Sequence, residues 1–485
     1  MLSKEIYQKS LEFGNVAVNA LKKSVSPYNF VEFAKKELKS AGFTQIFESD
    51  PWVFEAGKKY FYTRNNSCII AFHIGKKYSP ENGCFKIIGA HTDSPSLRIS
   101  PNSYNPSGEI ERYNVQYYGG GLWFTWLDRD LSLAGKVIFK DNSGKLTSKI
   151  IQCEEPIFFI PNCPPHLKSA SERETLTINK ENHLKPLIAT LKVNSALFEE
   201  DKEKETKKDK KLGKTLRTII LKELNKGCEK PVIDCGDQIV DYDLVLYDTQ
   251  SPSLIGLNKE FLASGRLDNL GSSIPALYAM INASKDELIA EQSSINLIAL
   301  FDNEEIGSMT YQGADSNFFL MHLKRIFAQS LNITKNEYSE DLYLRFMARS
   351  YVISADLAHA FNPNYSEKFQ AQHQNKLQQG VVLKINVCGK YSTESENAAV
   401  FKEIANLCNV PLQEFIVRQD SPCGTTIGPI TSAKIGIKSV DVGIPQFAMH
   451  VIREQLGIVD SFYYRTIFLE FFKNYEKVKG NILRE

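Results

Sequence analysis

The residues best suited to chemistry are carboxylates and imidazoles spread along the chain. Glu304 and Glu305 are neighbours in the stretch FDNEEIGS, directly after the apolar run 294–301. An apolar run bounded by a polar turn predicts a buried strand ending in a loop. Two carboxylates at such a place are costly unless each has a partner. Adjacent side chains point in different directions, so the pair suits two jobs, one oxygen on a metal and one on a water. His91 and Asp93 stand in GAHTDSPS, Asp268 in GRLDNLGSS, Asp356 after the run 351–355, and His450 in QFAMHVIRE. These are predicted strand ends and one helix start, and open α/β sheets gather their sites beyond the carboxyl ends of strands.

The donors are imidazole nitrogen and carboxylate oxygen, without thiolate. That mixture suits zinc, cobalt or manganese in a hydrolytic site. Two histidines and three carboxylates are too many for one tetrahedral zinc that keeps a water. They fit two ions about 3.5 Å apart that share an Asp bridge. Asp93, two residues beyond His91, is placed to orient that imidazole.

The elements that must position these residues follow from periodicity. Helical patterns over 3–24 and 28–41 lead into expected strands at 52–54, 60–62, 68–72 and 85–90. From about residue 95, short alternating runs, aromatics and the turn Gly119-Gly120-Gly121 predict a β-rich insert. After about 255, strands alternate with helices again up to a last helix over 461–479. The expected architecture is α/β with a mixed or parallel sheet. A catalytic domain over 1–94 and 255–485 is interrupted by a β-rich domain over 95–254. The run EEDKEKETKKDKK at 199–211 reads as a solvated loop.

Bulk properties exclude several function classes. A formal net charge of +1 offers no basic field for nucleic acid or anionic membrane. No apolar run is long enough to span a bilayer. The N-terminus mixes both charge signs and lacks a secretion-signal core, which points to a cytoplasmic protein. The nine cysteines are odd in number, scattered, and form no CxxC, so reduced thiols are expected. Cys423, in a Gly/Thr-rich loop, has no histidine near it in sequence to serve as a nucleophile's base.

FDNEEIGS, GAHTDSPSLRISP, GGGLWFTWLDRDLSLAGKV, SADLAHAFNPNY, DSPCGTTIGP and QFAMHVIRE resemble the motifs of the aspartyl aminopeptidase family, co-catalytic zinc exopeptidases. The resemblance implies a zinc-exopeptidase-like catalytic domain, an inserted β-rich dimerisation domain, and a dimer-based assembly of twelve subunits. It implies that Asp268 bridges two divalent ions, with His91 and Asp356 completing one site and Glu305 and His450 the other. Glu304 becomes the general base. Lys384, in VVLKINV, matches a lysine that meets the acidic side chain of the substrate's first residue, with Tyr391 and His359 lining the same pocket. His166 matches a histidine that one subunit offers to its neighbour. The chain departs from the family pattern at Asn162, where relatives often carry a further histidine, and this leaves the strictness of the acidic preference open.

The expected activity is removal of N-terminal Asp or Glu from peptides. A broader or neutral specificity, two-metal phosphoester hydrolysis, and a catalytically silent peptide-binding oligomer are the alternatives. Against the phosphoester reading, no phosphate-cradling Gly-rich helix start occurs. Against the silent scaffold, Glu304 is kept together with all the ligand candidates.

Overall fold

The computed structural model describes residues 2–198 and 211–480. Residues 199–210, most of the charge run, lie outside the described residues. The chain divides into two compact units, one of residues 1–93, 252–449 and 453–485, the other of 94–251 and 450–452.

The first unit is built on a nine-stranded mixed sheet. Its order is Thr44–Gln45, Lys59–Arg64, Cys68–Ile74, Ile295–Phe301, Phe85–His91, Tyr351–Ala355, Lys438–Gly443, Val381–Lys384 and Leu412–Phe415. Ile295–Phe301, Phe85–His91, Tyr351–Ala355 and Lys438–Gly443 run parallel, so their carboxyl ends emerge at one edge. Every residue of Cys68–Ile74, Phe85–His91 and Ile295–Phe301 is buried, as expected where both sheet faces are covered. One face packs on the helices Lys4–Lys23, Pro27–Ser40, Leu267–Ala283, Ser395–Leu407 and Ile458–Val478. The other packs on Phe318–Thr334, Glu340–Ala348 and Ile427–Ile435. Among the described residues, no helix is long and apolar enough to cross a membrane.

Residues 52–54, expected as a strand, form none. Side chains hold this segment instead of a ladder. The Trp52 indole N–H donates to the Phe47 carbonyl at 2.8 Å, its ring stacks on His322 at 5.4 Å, and the Arg325 guanidinium lies 3.8 Å from its centroid. Aromatic burial produced the strand-like pattern without pairing.

The second unit carries a six-stranded sheet, ordered Leu146–Gln152, Leu131–Lys140, Ile239–Asp248, Ser96–Tyr104, Ile110–Tyr118 and Leu187–Thr190, and antiparallel throughout. It has its own core, in which Leu216, Ile220 and Leu224 of the helix Lys214–Asn225 join Trp123, Trp126 and Phe158.

One buried acid braces the turn that leads into Val381–Lys384. Asp460, in the first turn of Ile458–Val478, accepts the N–H groups of Gln378 (2.6 Å) and Gly380 (2.7 Å). Burial pushes its carboxyl up to about 8, against those donors, which favour the anion. An unfolded Asp titrates near about 4. The native chain therefore holds this proton more tightly, and the stability it contributes is lost as pH rises from about 4 to about 8. Asp460→Asn removes the titration. The expected result is a stability advantage of wild type over variant that shrinks between pH 5 and pH 8, read by urea unfolding. A constant difference would contradict it.

Candidate metal centre

The parallel strands deliver the candidate residues to one edge. His91 is the last residue of Phe85–His91 and pairs in register with Phe301. Beyond Phe301 the chain turns sharply: Asn303 and Gly307, both with left-handed backbone, bracket the single 3-10 turn Glu304–Ile306. Asn tolerates that conformation because its short side chain bonds locally. Here its Oδ1 accepts from Thr310 Oγ1 at 2.9 Å and Gln312 Nε2 at 2.7 Å. Asp356 follows Tyr351–Ala355, and its N–H donates to the Val442 carbonyl at 2.9 Å. Asp268 precedes the regular part of Leu267–Ala283, because Asp268 and Asn269 are not helical. A carboxylate at a helix N-terminus is favoured by the helix dipole.

His91, Asp268, Glu304, Glu305 and Asp356 converge. His91 Nε2 lies 3.4 Å from Asp268 Oδ1, 3.8 Å from Glu304 Oε2 and 3.9 Å from Asp356 Oδ1. One donor atom from each of His91, Asp268 and Glu305 falls within 4.8 Å of the others, and the same holds for His91, Glu304 and Asp356. Glu304 is thus as close to the imidazole as Asp356 is, and geometry offers it as a donor or as a base.

Asp93 organises the cluster from behind. His91 Nδ1 lies 3.1 Å from the Asp93 carbonyl and 3.3 Å from its Oδ1, which leaves Nε2 for coordination. The Glu304 N–H donates to Asp93 Oδ1 at 3.2 Å and the Glu305 N–H to Oδ2 at 3.1 Å. A single buried carboxylate therefore sets the imidazole and the backbone of both glutamates.

The electrostatics call for a cation. Burial raises the Glu304 carboxyl well above its usual range; His91 opposes this, while Asp356, Glu305 and Asp93 add to it. Burial also raises Asp356, with Lys384 and His91 opposing. Burial alone would lower His91, but Glu304, Asp268 and Asp93 outweigh it and raise it well above the ordinary value. Anions crowded in a dry site repel one another and favour protons. A divalent ion removes both costs, and oxygen and imidazole donors suit zinc. The residues present fit a metal.

Lys384 is 3% exposed. Its Nζ lies 3.4 Å from Asp356 Oδ2 and 5.4 Å from the Tyr391 ring centroid. The Tyr391 and His359 rings flank Phe415, at 6.5 Å and 6.2 Å. Lys384 thus stands beside Asp356 with the Tyr391 ring near it, and Tyr391 and His359 both lie near the Phe415 ring. His166 and His450 belong to the second unit. His166 is exposed in the short 3-10 turn Pro165–Leu167. His450 has left-handed backbone, its carbonyl accepts from the Leu122 N–H at 2.8 Å, and its Nδ1 lies 3.3 Å from the Gly120 carbonyl.

Several positioning residues escaped sequence reasoning. Asn269 Nδ2 donates to the Ala355 carbonyl at 2.8 Å and Ser273 Oγ to the His91 carbonyl at 2.7 Å, tying the helix to two strand ends. Glu454, the last residue of QFAMHVIRE, accepts the Asp268 N–H at 3.0 Å. Asp441, fully buried, accepts from the Ser392 N–H (2.6 Å), Ser392 Oγ (2.7 Å) and Thr426 Oγ1 (2.6 Å). A side chain at Gly428 would collide with that carboxylate, so glycine is required there. Polar residues inside apolar helices and strands were the available signal. Asp441 pins the loop that carries Tyr391. Asp441→Asn turns one acceptor into a donor facing donors, so Tyr391 loosens. The expected outcome is a variant less stable than wild type by about 1–3 kcal/mol in urea unfolding. Zinc content, measured by atomic absorption, stays unchanged; loss of zinc would place Asp441 in support of the cluster instead.

Comparison with known proteins agrees with this geometry. Residues 20–472 match the family described as aminopeptidase I zinc metalloprotease (M18). A probable aspartyl aminopeptidase of Ricinus communis is 38% identical, with 99% of each chain covered. Aspartyl aminopeptidase 4 of Saccharomyces cerevisiae is 39% identical over 96% of this chain and 95% of its own. Among solved structures, Ape4 in its complex with Nbr1 superposes with a TM-score of 0.91 at 35% identity, covering 99% of this chain and 88% of that one. The mApe1 dodecamer of S. cerevisiae gives 0.80 at 27% identity, covering 96% and 98%. Whole-length identity, a shared α/β fold and a metal-ready cluster lead to one conclusion: the chain belongs to the M18 zinc metalloprotease family and is a metal-dependent aminopeptidase.

Proposed function

We propose that the protein removes N-terminal Asp or Glu from peptides, using two divalent ions per subunit, most simply zinc. The observation that carries the acidic preference is Lys384, a buried cation beside the cluster with Tyr391 against it. Relatives named aspartyl aminopeptidase support the same reading. His91, Asp268, Glu305 and Asp356 would hold the ions, with Asp268 shared. Bound there, the ions would supply Lewis acidity to the scissile carbonyl and to a water.

The remaining chemistry belongs to the chain. Glu304 takes a proton from the attacking water and returns it to the leaving amine nitrogen. Asp93 holds His91 and the 304–305 backbone in place. Lys384 receives the substrate's side-chain carboxylate through charge-assisted hydrogen bonds, with Tyr391 and His359 lining the pocket. His450 as a further ligand and His166 as a partner-supplied group rest on the resemblance of their motifs alone. A dimer-based homo-oligomer of up to twelve copies, with the β-rich unit as its dimerisation domain, is supported by the dodecameric relative. A cytoplasmic setting suits the nine free cysteines.

The test is a panel of aminoacyl peptides assayed on zinc-reconstituted protein of known mass in solution. Asp and Glu are expected to lead the panel. A flat profile, or one led by Leu, overturns the acidic preference.

A further inference from the structure

Two buried carboxylates hold the backbone of the cluster from outside it. Asp93 receives the N–H groups of Glu304 and Glu305. Glu454 receives the N–H of Asp268, the candidate shared ligand. Glu454 opens the strand Glu454–Gly457, which runs antiparallel to Phe261–Ser264, and stands opposite Ser264. From Ser264 the chain passes through the left-handed Arg266 to Asp268. This register brings the Glu454 carboxylate, 2% exposed, to the start of the helix Leu267–Ala283.

The first N–H groups of a helix have no partner inside it, and an anion is favoured beside them. The Asp268 N–H is one of these, and Glu454 Oε2 accepts it at 3.0 Å. Strand and helix lie close: a side chain at Gly271 would meet Leu357 Cδ1 at 3.0 Å and Leu456 Cδ2 at 3.1 Å. Packing therefore fixes the carboxylate that fixes Asp268. The helix has two other ties to the sheet, from Asn269 to the Ala355 carbonyl and from Ser273 to the His91 carbonyl. Those set the helix against the strand ends, whereas Glu454 binds Asp268 itself, whose Oδ1 lies 3.4 Å from His91 Nε2.

We infer that Glu454 is a positioning residue for the shared aspartate and that, by ordering Asp268 before any ion arrives, it sets the affinity of the first ion to load. The inference rests on the two-ion reading with Asp268 shared. A loose Asp268 must be ordered by whichever ion binds first, and that ordering subtracts from its affinity. The second ion then meets a carboxylate already in place. Removing Glu454 thus weakens the first binding step and spares the second.

Glu454→Leu removes the carboxylate at similar volume, and Glu454→Asp keeps the charge but retracts it by one methylene, a milder change should the first variant not fold. Zinc is titrated into the full chain after removal of metal, against a chromophoric chelator, with folding checked by circular dichroism. In both variants the first dissociation constant is expected to rise about tenfold or more, as for a lost hydrogen bond to a charged group, with the second within about threefold of wild type. Manganese gives a second readout by electron paramagnetic resonance. At one Mn per chain the variants should show a larger share of spin-coupled pairs than wild type, because weakening the first step alone favours double loading. An equal rise at both zinc steps, or an unchanged share of pairs, overturns the inference. So does unchanged zinc affinity with a lower urea midpoint, which would leave Glu454 a brace for the helix alone. Zinc stoichiometry of wild type tests the underlying reading separately, since one zinc per chain would remove the shared ligand whatever the variants do.

Discussion

Glu304→Gln is expected to lower kcat by about a hundred- to ten-thousand-fold, the range for loss of a general base, while zinc stays bound. Gln keeps the shape and the hydrogen-bonding reach of Glu and loses only the ability to accept and release a proton. The backbone of this turn is held independently, by Asp93 through the Glu304 and Glu305 N–H groups and by Asn303 through Thr310 and Gln312. The substitution should therefore leave Glu305 and His91 where they are. Structure makes the metal readout decisive, because Glu304 and Asp356 stand equally near His91. If zinc per chain falls along with kcat, Glu304 is a ligand and another group must move the proton. If zinc is unchanged and kcat holds, no proton passes through residue 304.

Lys384→Met should reduce kcat/KM for N-terminal Asp peptides about 10- to 100-fold more than for Leu peptides, since a hydrogen bond to a charged group is worth about 1.5–3 kcal/mol. The ammonium has three donors, enough for Asp356 and for a substrate carboxylate together. Its pairing with Asp356 adds a second consequence. Lys384 opposes the upward shift that burial imposes on the Asp356 carboxyl. Without it, Asp356 becomes more basic, and protons compete better with metal at that oxygen. Zinc affinity should therefore weaken in the variant, most at low pH, and the comparison between Asp and Leu substrates belongs at saturating zinc. An equal fall on both substrates under that condition would leave Lys384 a brace for Asp356 alone.

The β-rich unit, the α/β frame and the type of chemistry were legible in the chain itself. Buried runs such as 294–301 and 85–90 announce covered strands through uninterrupted apolar residues, and a change to alternation near residue 95 announces exposed sheet. The failure at 52–54 has the same origin. Trp52 and Phe54 look like strand residues because they are aromatic and buried on either side of the exposed Val53, while pairing depends on a neighbour that only the fold supplies. Family motifs carried the candidate residues, and the donor set carried the metal, since imidazole and carboxylate without thiolate leave few alternatives.

Other features could not be read from order along the chain. That Asp93 serves His91 and two glutamate N–H groups at once depends on residues more than two hundred positions apart meeting at one sheet edge. That Asp441 holds the Tyr391 loop and that Glu454 receives the Asp268 N–H depend on strand order and register. Residue types and local period are written in the sequence because they act on neighbours and on solvent. Which distant carboxylates meet at one sheet edge is decided by packing, where every donor's partner is chosen by the whole fold.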